Sequence, residues 1–319
     1  MESPTPEYGH TVDYHDLPGL SNSRLKLLRR SPKLFQRAME QGWKDEQKNH
    51  HIEGDMIDKM LLDYAKFQRD YMVQTWDIPA SAQQQQFAKM VAEGESPDIA
   101  YDQVYKATLK PATLAKKSAA LETELYDYIQ HLKTGDLRTP YNPAAEQMLM
   151  GIQNSAMKHP IASKLLNHKN KENHKIIQVE LFEEDFKIEV DLYIQIGSKE
   201  KVTVFNIDVK STQESLSSFP FVYRRFGYHY QQALYRMAIR KWLEDQGYKN
   251  ITIKTLCVAA EKAEPYSVLV YNVSDDLLKE GEEWIRETIE LYKFHKTHGF
   301  EYPKSTYEKG VETIDVYEK

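Results

Sequence analysis

The sequence predicts a mixed α/β (α+β) fold, a central mixed sheet flanked by helices, and three observations carry the prediction. Three β-rich runs, about residues 175–182, 186–196 and 202–211, follow one another with only the short polar joints "EED" and "GSKEK" between them, as hairpins require. A long run with helical periodicity follows, about residues 221–246. Two more β-rich runs, "NITIKTLCVAAE" and "PYSVLVYNV", and a helical run, "DDLLKEGEEWIRETIELYKFHK", complete the set.

Upstream of the sheet the chain reads as helices. The stretch "LSNSRLKLLRRSPKLFQRAM" opens with Ser/Asn capping residues and continues with helical periodicity, with Ser31-Pro32 marking a break or a second start. A second helix is expected over about 53–67, "EGDMIDKMLLDYAKF". Residues 79–142 are polar, with "QQQQ" and "KPATLAKKSAALETELYDYIQHLK", and read as a helical insertion or subdomain with a weak core within a single domain spanning 1–319. A further helix, "PAAEQMLMGIQNSAMKHPIASKLL", leads into the sheet, and no internal repeat is visible.

With 319 residues, 41% hydrophobic and 28% charged, the chain can bury a substantial core. No apolar run approaches the roughly 20 residues that cross a bilayer, so no membrane partner is expected. The stretch "MESPTPEYGH" lacks the basic-then-apolar pattern of an export signal, and the single cysteine, Cys257, fits a reducing cytoplasm; it lies in the apolar "TLCVAAE" and reads as core packing. The net charge of −6 argues against a generic nucleic-acid coating protein, whose affinity comes from many Lys and Arg, but allows a local basic track. Basic residues cluster in "SRLKLLRRSPKLFQR" and "YRRFGYHYQQALYRMAIRK", where a solvated helix face is an equal reading.

The third β-rich run, "VTVFNIDVKST", places Asp208 and Lys210 in an otherwise apolar strand. A strand face turned to water explains two charges. Acid-x-Lys is itself common here, recurring at Glu46-Gln47-Lys48 and Asp185-Phe186-Lys187 in polar surroundings. Hairpin arithmetic favours more. If the second and third runs fold back about "GSKEK", residues whose numbers sum to about 399 lie opposite one another, pairing Asp191 with Asp208 and Glu189 with Lys210 on one face. A first hairpin centred on "FEEDFK" similarly sets Glu180 opposite Glu189. Opposed carboxylates repel unless a cation lies between them, and hard divalent ions are suited to that place.

With Asp191 in "KIEVDLYI", Asp208-Val209-Lys210 in "NIDVKST", and Gln231 and Tyr235 in "YHYQQALY", the chain resembles the PD-(D/E)XK nuclease superfamily, in its RecB-like branch of phage recombination exonucleases of the exonuclease VIII and lambda exonuclease type. The stretches "HPIASKLL" at 159–166 and "LSNSRLKLLRRSPKLF" are similar to the exonuclease VIII group. The resemblance implies a restriction-endonuclease-like core, with the catalytic sheet and its Gln-x-x-x-Tyr helix within 175–275. It implies Lys210 as the catalytic lysine, beside Asp208, Asp191, Gln231 and Tyr235. Asp191, Asp208 and the Val209 carbonyl would hold Mg²⁺, with Mn²⁺ as an alternative, and Glu180 matches the acid of the preceding strand. Tyr228 and Arg224, spaced with Gln231 and Tyr235 along one helix face, would line the DNA track or pack on the sheet. One position departs from the pattern: the branch carries Gly-x-x-x-His on an early helix, and here Gly54 is followed by Asp58, an oxygen ligand in the imidazole's place or a solvent-facing acid.

The resemblance implies a divalent-metal-dependent deoxyribonuclease, an exonuclease on ends of double-stranded DNA in phage-type recombination, with a single-strand annealing protein as partner and homo-oligomers in the family. The alternatives are an endonuclease, a CRISPR-associated RecB-like nuclease, against which one cysteine argues because an iron–sulfur cluster takes four, and a catalytically inactive DNA-binding or assembly module.

Overall fold

The structure, a computed structural model, describes residues 14–41, 49–106 and 108–310; "MESPTPEYGH" and Glu46-Gln47-Lys48 lie outside the described residues. The chain forms two compact units, one of Met1–Leu62 with Gly151–Lys319, the other of Asp63–Met150.

The first unit is built on a five-stranded sheet whose strands, β1 (Lys171–Leu181), β2 (Glu184–Ser198), β3 (Lys201–Thr212), β4 (Ile251–Glu261) and β5 (Val268–Asn272), lie side by side in chain order. All neighbours are antiparallel except β3 and β4, which are parallel. A parallel pair needs a crossover, and two helices supply it: Phe219–Arg225 and Tyr228–Asp245. Ahead of the sheet stand α1 (Asn22–Arg30), α2 (Pro32–Gln41) and α3 (Asn49–Leu62); the crossover helices are α4 and α5, and α6 is Asp275–His298. Ser21 caps α1, its side chain accepting the Arg24 N–H, and Ser31 separates α1 from α2 with extended backbone ahead of Pro32.

β2 is buried over most of its length because both sheet faces are covered. Leu192 and Ile194 are almost fully inaccessible, as are Ile188, Val190 and Tyr193, which pack together in one core. α5 contributes Ala233, Leu234, Ala238, Ile239 and Leu243 to the same core. It is also tied to β3 by a buried polar contact, Asn206 Nδ2 donating to Gln232 Oε1 at 2.7 Å. Gly281 lets α6 approach α5 closely: a Cβ there would stand 2.8 Å from the His229 carbonyl oxygen and 2.6 Å from Ala233 Cβ. Cys257 is fully buried in β4, as a small apolar residue would be.

Three expectations are corrected. The β1–β2 turn is not centred on "EED" but is the two-residue pair Phe182-Glu183, both with positive φ (56° and 67°) as a type I′ hairpin demands. Its register sets Glu180 opposite Asp185 and Glu189 opposite Ile176, so Glu180 and Glu189 do not face each other. The long helix over 221–246 is two helices, α4 and α5, broken at Gly227 with φ 63°. The helix over 53–67 also divides, ending at Leu62; Asp63 then caps a new helix by accepting the Lys66 N–H at 3.1 Å.

The second unit is mainly helical, with helices Ala82–Ala92, Pro97–Tyr105, Pro111–Glu124 and Tyr126–Thr134 and a pair of three-residue parallel strands, Tyr71–Val73 and Thr139–Tyr141. Its boundaries lie outside the polar 79–142 stretch. It has a core of its own, in which Phe87, Ala88, Ala100 and Ile129 are buried. "QQQQ" begins a helix: Gln84 closes a capping box with Ser81 while its three neighbours are exposed.

Candidate active site

The site forms where β2 and β3 stop pairing. Their ladder ends at Leu192 opposite Ile207, in the register expected, and the next pair would be Asp191 and Asp208. β3 goes on pairing with β4 from Asp208 to Thr212, so β3 holds its course while its β2 side loses ladder partners. The Val209 N–H is accepted instead by the Asp191 carboxylate, Oδ2 at 2.9 Å, which satisfies a buried donor and fixes that side chain in the fork. Lys210 Nζ donates to Asp208 Oδ1 at 2.6 Å and lies 3.7 Å from Asp191 Oδ2. One ammonium thus serves two carboxylates.

The electrostatics follow from burial. Asp208 is only 1% exposed, and burial pushes its carboxyl up to about 7, against the pull of the Lys210 charge and with Asp191 adding to the rise. Burial also works against the Lys210 ammonium, but the carboxylates of Asp208 and Asp191 and the hydrogen bond to Asp208 more than offset it and hold Lys210 well above the usual lysine range. Lys210 is therefore a cation as the site stands. Lys210 Nζ also lies 3.3 Å from the Val209 carbonyl oxygen and 5.3 Å from the ring centre of Tyr228.

Asp58 reaches this cluster from α3. Burial, and then the charge of Asp191, push its carboxyl well up, with Lys210 opposing. Its contact is a residue that sequence reasoning missed. His174 Nε2 lies 3.2 Å from Asp58 Oδ2, and His174 Nδ1 lies 3.6 Å from Glu189 Oε1. The β1–β2 ladder skips a pair between Asn173–Leu192 and Lys175–Val190, at the position where His174 would meet Asp191, and His174 has φ 51°. The available signal was "ENHK", a polar interruption with Asn and His, residues that tolerate left-handed backbone better than most. Glu189 is consequently a neighbour of His174, not the cross-strand partner of Lys210.

Glu180 does not join the site. It is exposed beside the β1–β2 turn, six positions along β1 from His174 and so about 20 Å away at strand spacing. The two-residue turn shifts the register that would have brought it closer. Arg224 also leaves the expected face: on α4, beyond the Gly227 break, it is 63% exposed and pairs with Glu280 at 2.9 Å. Gln231 and Tyr235 do share a face of α5, where Gln231 Nε2 donates to Tyr235 Oη at 3.0 Å. Burial, then the charges of Tyr14, Asp191 and Asp208, push the Tyr235 hydroxyl well up, so it stays neutral beside the acids. Lys26 of α1 is a second missed residue. Burial lowers its pKa and the charge of Lys210 lowers it further, so a second amine stands within electrostatic reach of the site.

The donor set fits a hard cation. Asp208 Oδ2 is buried without a hydrogen-bond partner among the described residues, and three carboxylates meet only one close ammonium. As the side chains stand, no three His, Cys, Asp or Glu among the described residues form an ion-binding group. The Lys210 ammonium lies against both Asp208 and Asp191, where an ion would otherwise balance their charge. Asp191, Asp208, the Val209 carbonyl and Asp58 are the oxygen donors that would hold it.

The model of a family described as a PDDEXK-like domain of unknown function (DUF3799) matches residues 21–306. A crystal structure from Eubacterium rectale, of a protein provisionally described as an exonuclease, aligns over 99% of this chain and 97% of its own, at 13% identity and a TM-score of 0.46. The crystal structure of SSO0001 aligns over 74% of this chain and 85% of its own, at 16% identity and a TM-score of 0.26. No curated protein matches the chain. Among the described residues no helix is long and apolar enough to cross a membrane.

Proposed function

The chain belongs to the PDDEXK-like family, and from that premise we propose that it is a divalent-metal-dependent deoxyribonuclease that hydrolyses phosphodiester bonds, acting as an exonuclease from the ends of double-stranded DNA in phage-type recombination alongside a single-strand annealing protein. One observation carries the reading: Asp191, Asp208 and Lys210 converge in the fork between β2 and β3, with a buried carboxylate oxygen left without a hydrogen-bond partner among the described residues.

In this reading Asp191, Asp208, Asp58 and the Val209 carbonyl would hold Mg²⁺, which when bound would supply an activated water and offset charge on the phosphate. The chain's own residues do the rest. Lys210 brings a fixed positive charge to the phosphate oxygens and a donor that orients the attacking water; a preorganised charge in a buried site is worth far more than the same charge in water. Asp191 holds the fork open through the Val209 N–H and keeps the peptide of Val209 in place. Tyr235, within electrostatic reach of Asp191 and Asp208, accepts from the Gln231 amide, which would meet the DNA backbone. His174 contacts Asp58 through Nε2 and would orient that carboxylate, as second-layer partners commonly do for metal-bound acids.

The test is digestion of end-labelled linear duplex DNA by the purified chain in Mg²⁺, beside covalently closed circles of the same sequence. Loss of the linear DNA with survival of the circles is expected. Rapid nicking of the circles moves the activity to an endonuclease, and no digestion of either overturns the nuclease reading.

A further inference from the structure

We propose that Phe226, backed by Tyr228, is a stacking platform for an unpaired nucleobase of a DNA strand entering the Lys210 site. The inference rests on the nuclease reading above and adds to it a preference for frayed or single-stranded ends.

The observation behind it is an exposed aromatic ring beside the catalytic lysine. Phe226 is 53% exposed at the junction of α4 and α5. The Phe226 ring centre lies 5.9 Å from that of Tyr228, tilted by 34°, and Tyr228 in turn lies 5.3 Å from Lys210 Nζ. Phe226 thus stands two contacts from the ammonium that faces the scissile phosphate.

Its surroundings select the occupant. The Arg225 guanidinium lies 5.0 Å from the Phe226 ring centre, and Lys26 Nζ donates to the Phe226 carbonyl at 2.9 Å. Arg224 and Arg225 pair with Glu280 and Glu214 at the surface, and such surface pairs exchange readily for a phosphate. Aromatic faces interleaved with cations are what a single strand requires: its bases stack while its phosphates are neutralised. A base inside a duplex is stacked on both sides, whereas an unpaired base has free faces and a backbone loose enough to bring its phosphates to Arg225 and Lys26, so the occupant is an unpaired one. The platform is also held in place. Gly227 adopts φ 63°, and a Cβ there would meet the Tyr230 ring at 2.7 Å, so the turn that presents Phe226 is tightly packed.

The test uses the full chain with Ca²⁺ in place of Mg²⁺ to suppress cleavage, and duplexes with a short single-stranded tail that carries 2-aminopurine at successive positions. The wild type is expected to quench the probe at one position near the end. Phe226→Ala should lose that quench and bind the tail roughly 5- to 100-fold more weakly, the range that stacking on one aromatic side chain supplies. Phe226→Trp should keep both, which separates loss of the ring from damage to the fold. An abasic site at the quenched position should weaken wild-type binding by a similar factor yet add little to Phe226→Ala, because both remove one interaction. Unchanged quench and affinity in Phe226→Ala overturn the platform and leave the nuclease reading standing. Absence of DNA binding by the wild type at low salt overturns that reading itself.

Discussion

Lys210 and Asp208 are buried charges in a strand that would be more stable with apolar residues, so their removal separates function from folding. Lys210→Ala and Asp208→Asn are expected to lower cleavage by at least about 10²- to 10³-fold, the usual loss when one preorganised charge is deleted. Circular dichroism should show the fold retained; wild-type-like cleavage by either variant sinks the site assignment. His174 gives a second residue-scale prediction. Because it fixes Asp58 and approaches Glu189, His174→Ala should weaken Mn²⁺ binding about 10- to 100-fold in a titration followed by electron paramagnetic resonance. Asp58→Ala should weaken it too, while Asp58→His should restore binding and tilt preference from Mg²⁺ toward Mn²⁺. An unchanged Mn²⁺ titration in Asp58→Ala would return Asp58 to the role of an ordinary half-buried acid. The sequence showed Asp58 as a departure from a pattern but not its answer: His174 lies more than a hundred positions away, and only the packing of α3 against the sheet brings the two together.

At the scale of the element, the site depends on how α5 is held over the sheet. At Gly281 α6 lies close against α5, and the atoms a Cβ would meet there, Ala233 Cβ and the His229 carbonyl oxygen, are fixed to the backbone and cannot rotate away. Gly281→Ala is therefore expected to destabilise the protein by about 1–3 kcal/mol. Chemical denaturation should show a lower midpoint, and because α5 carries Gln231 and Tyr235, cleavage should fall as well. A midpoint equal to the wild type's would mean that the helices separate at little cost.

For the whole molecule, charge decides how DNA can be held. A chain of net charge −6 has no general attraction for the duplex, so its contacts must come from local cations such as Lys26, Lys210, Arg224 and Arg225. Cleavage should fall steeply as salt rises, and a flat salt response would place the contacts elsewhere. Metal should also report on the fold. An ion that binds only the folded state at a hundred times its dissociation constant stabilises it by about 2.7 kcal/mol, so Mg²⁺ should raise the thermal midpoint of the wild type. The same addition should leave Asp208→Asn almost unmoved; an equal rise in both would show the ion binding at another place.

By itself the sequence determined the strand and helix order of the catalytic unit, the β2–β3 register and the apposition of Asp191, Asp208 and Lys210. These are written in local patterns, apolar runs, short polar joints and a period of two, which constrain neighbours along the chain. It misplaced Glu180 because a Phe-Glu pair carries none of the usual marks of a type I′ turn, although the backbone adopts one there. It ran one helix through Gly227 because a single glycine lowers helix propensity by only about 1 kcal/mol, and nothing local reveals that Tyr230 packs against the turn. Only the tertiary structure decided that Asp58 meets His174, that Lys26 stands near Lys210 and that Phe226 lies exposed beside Tyr228. Each of these joins elements distant in sequence or separated by a backbone break, and the energy that sets them comes from packing α1, α3 and α5 around the sheet, which no local pattern encodes.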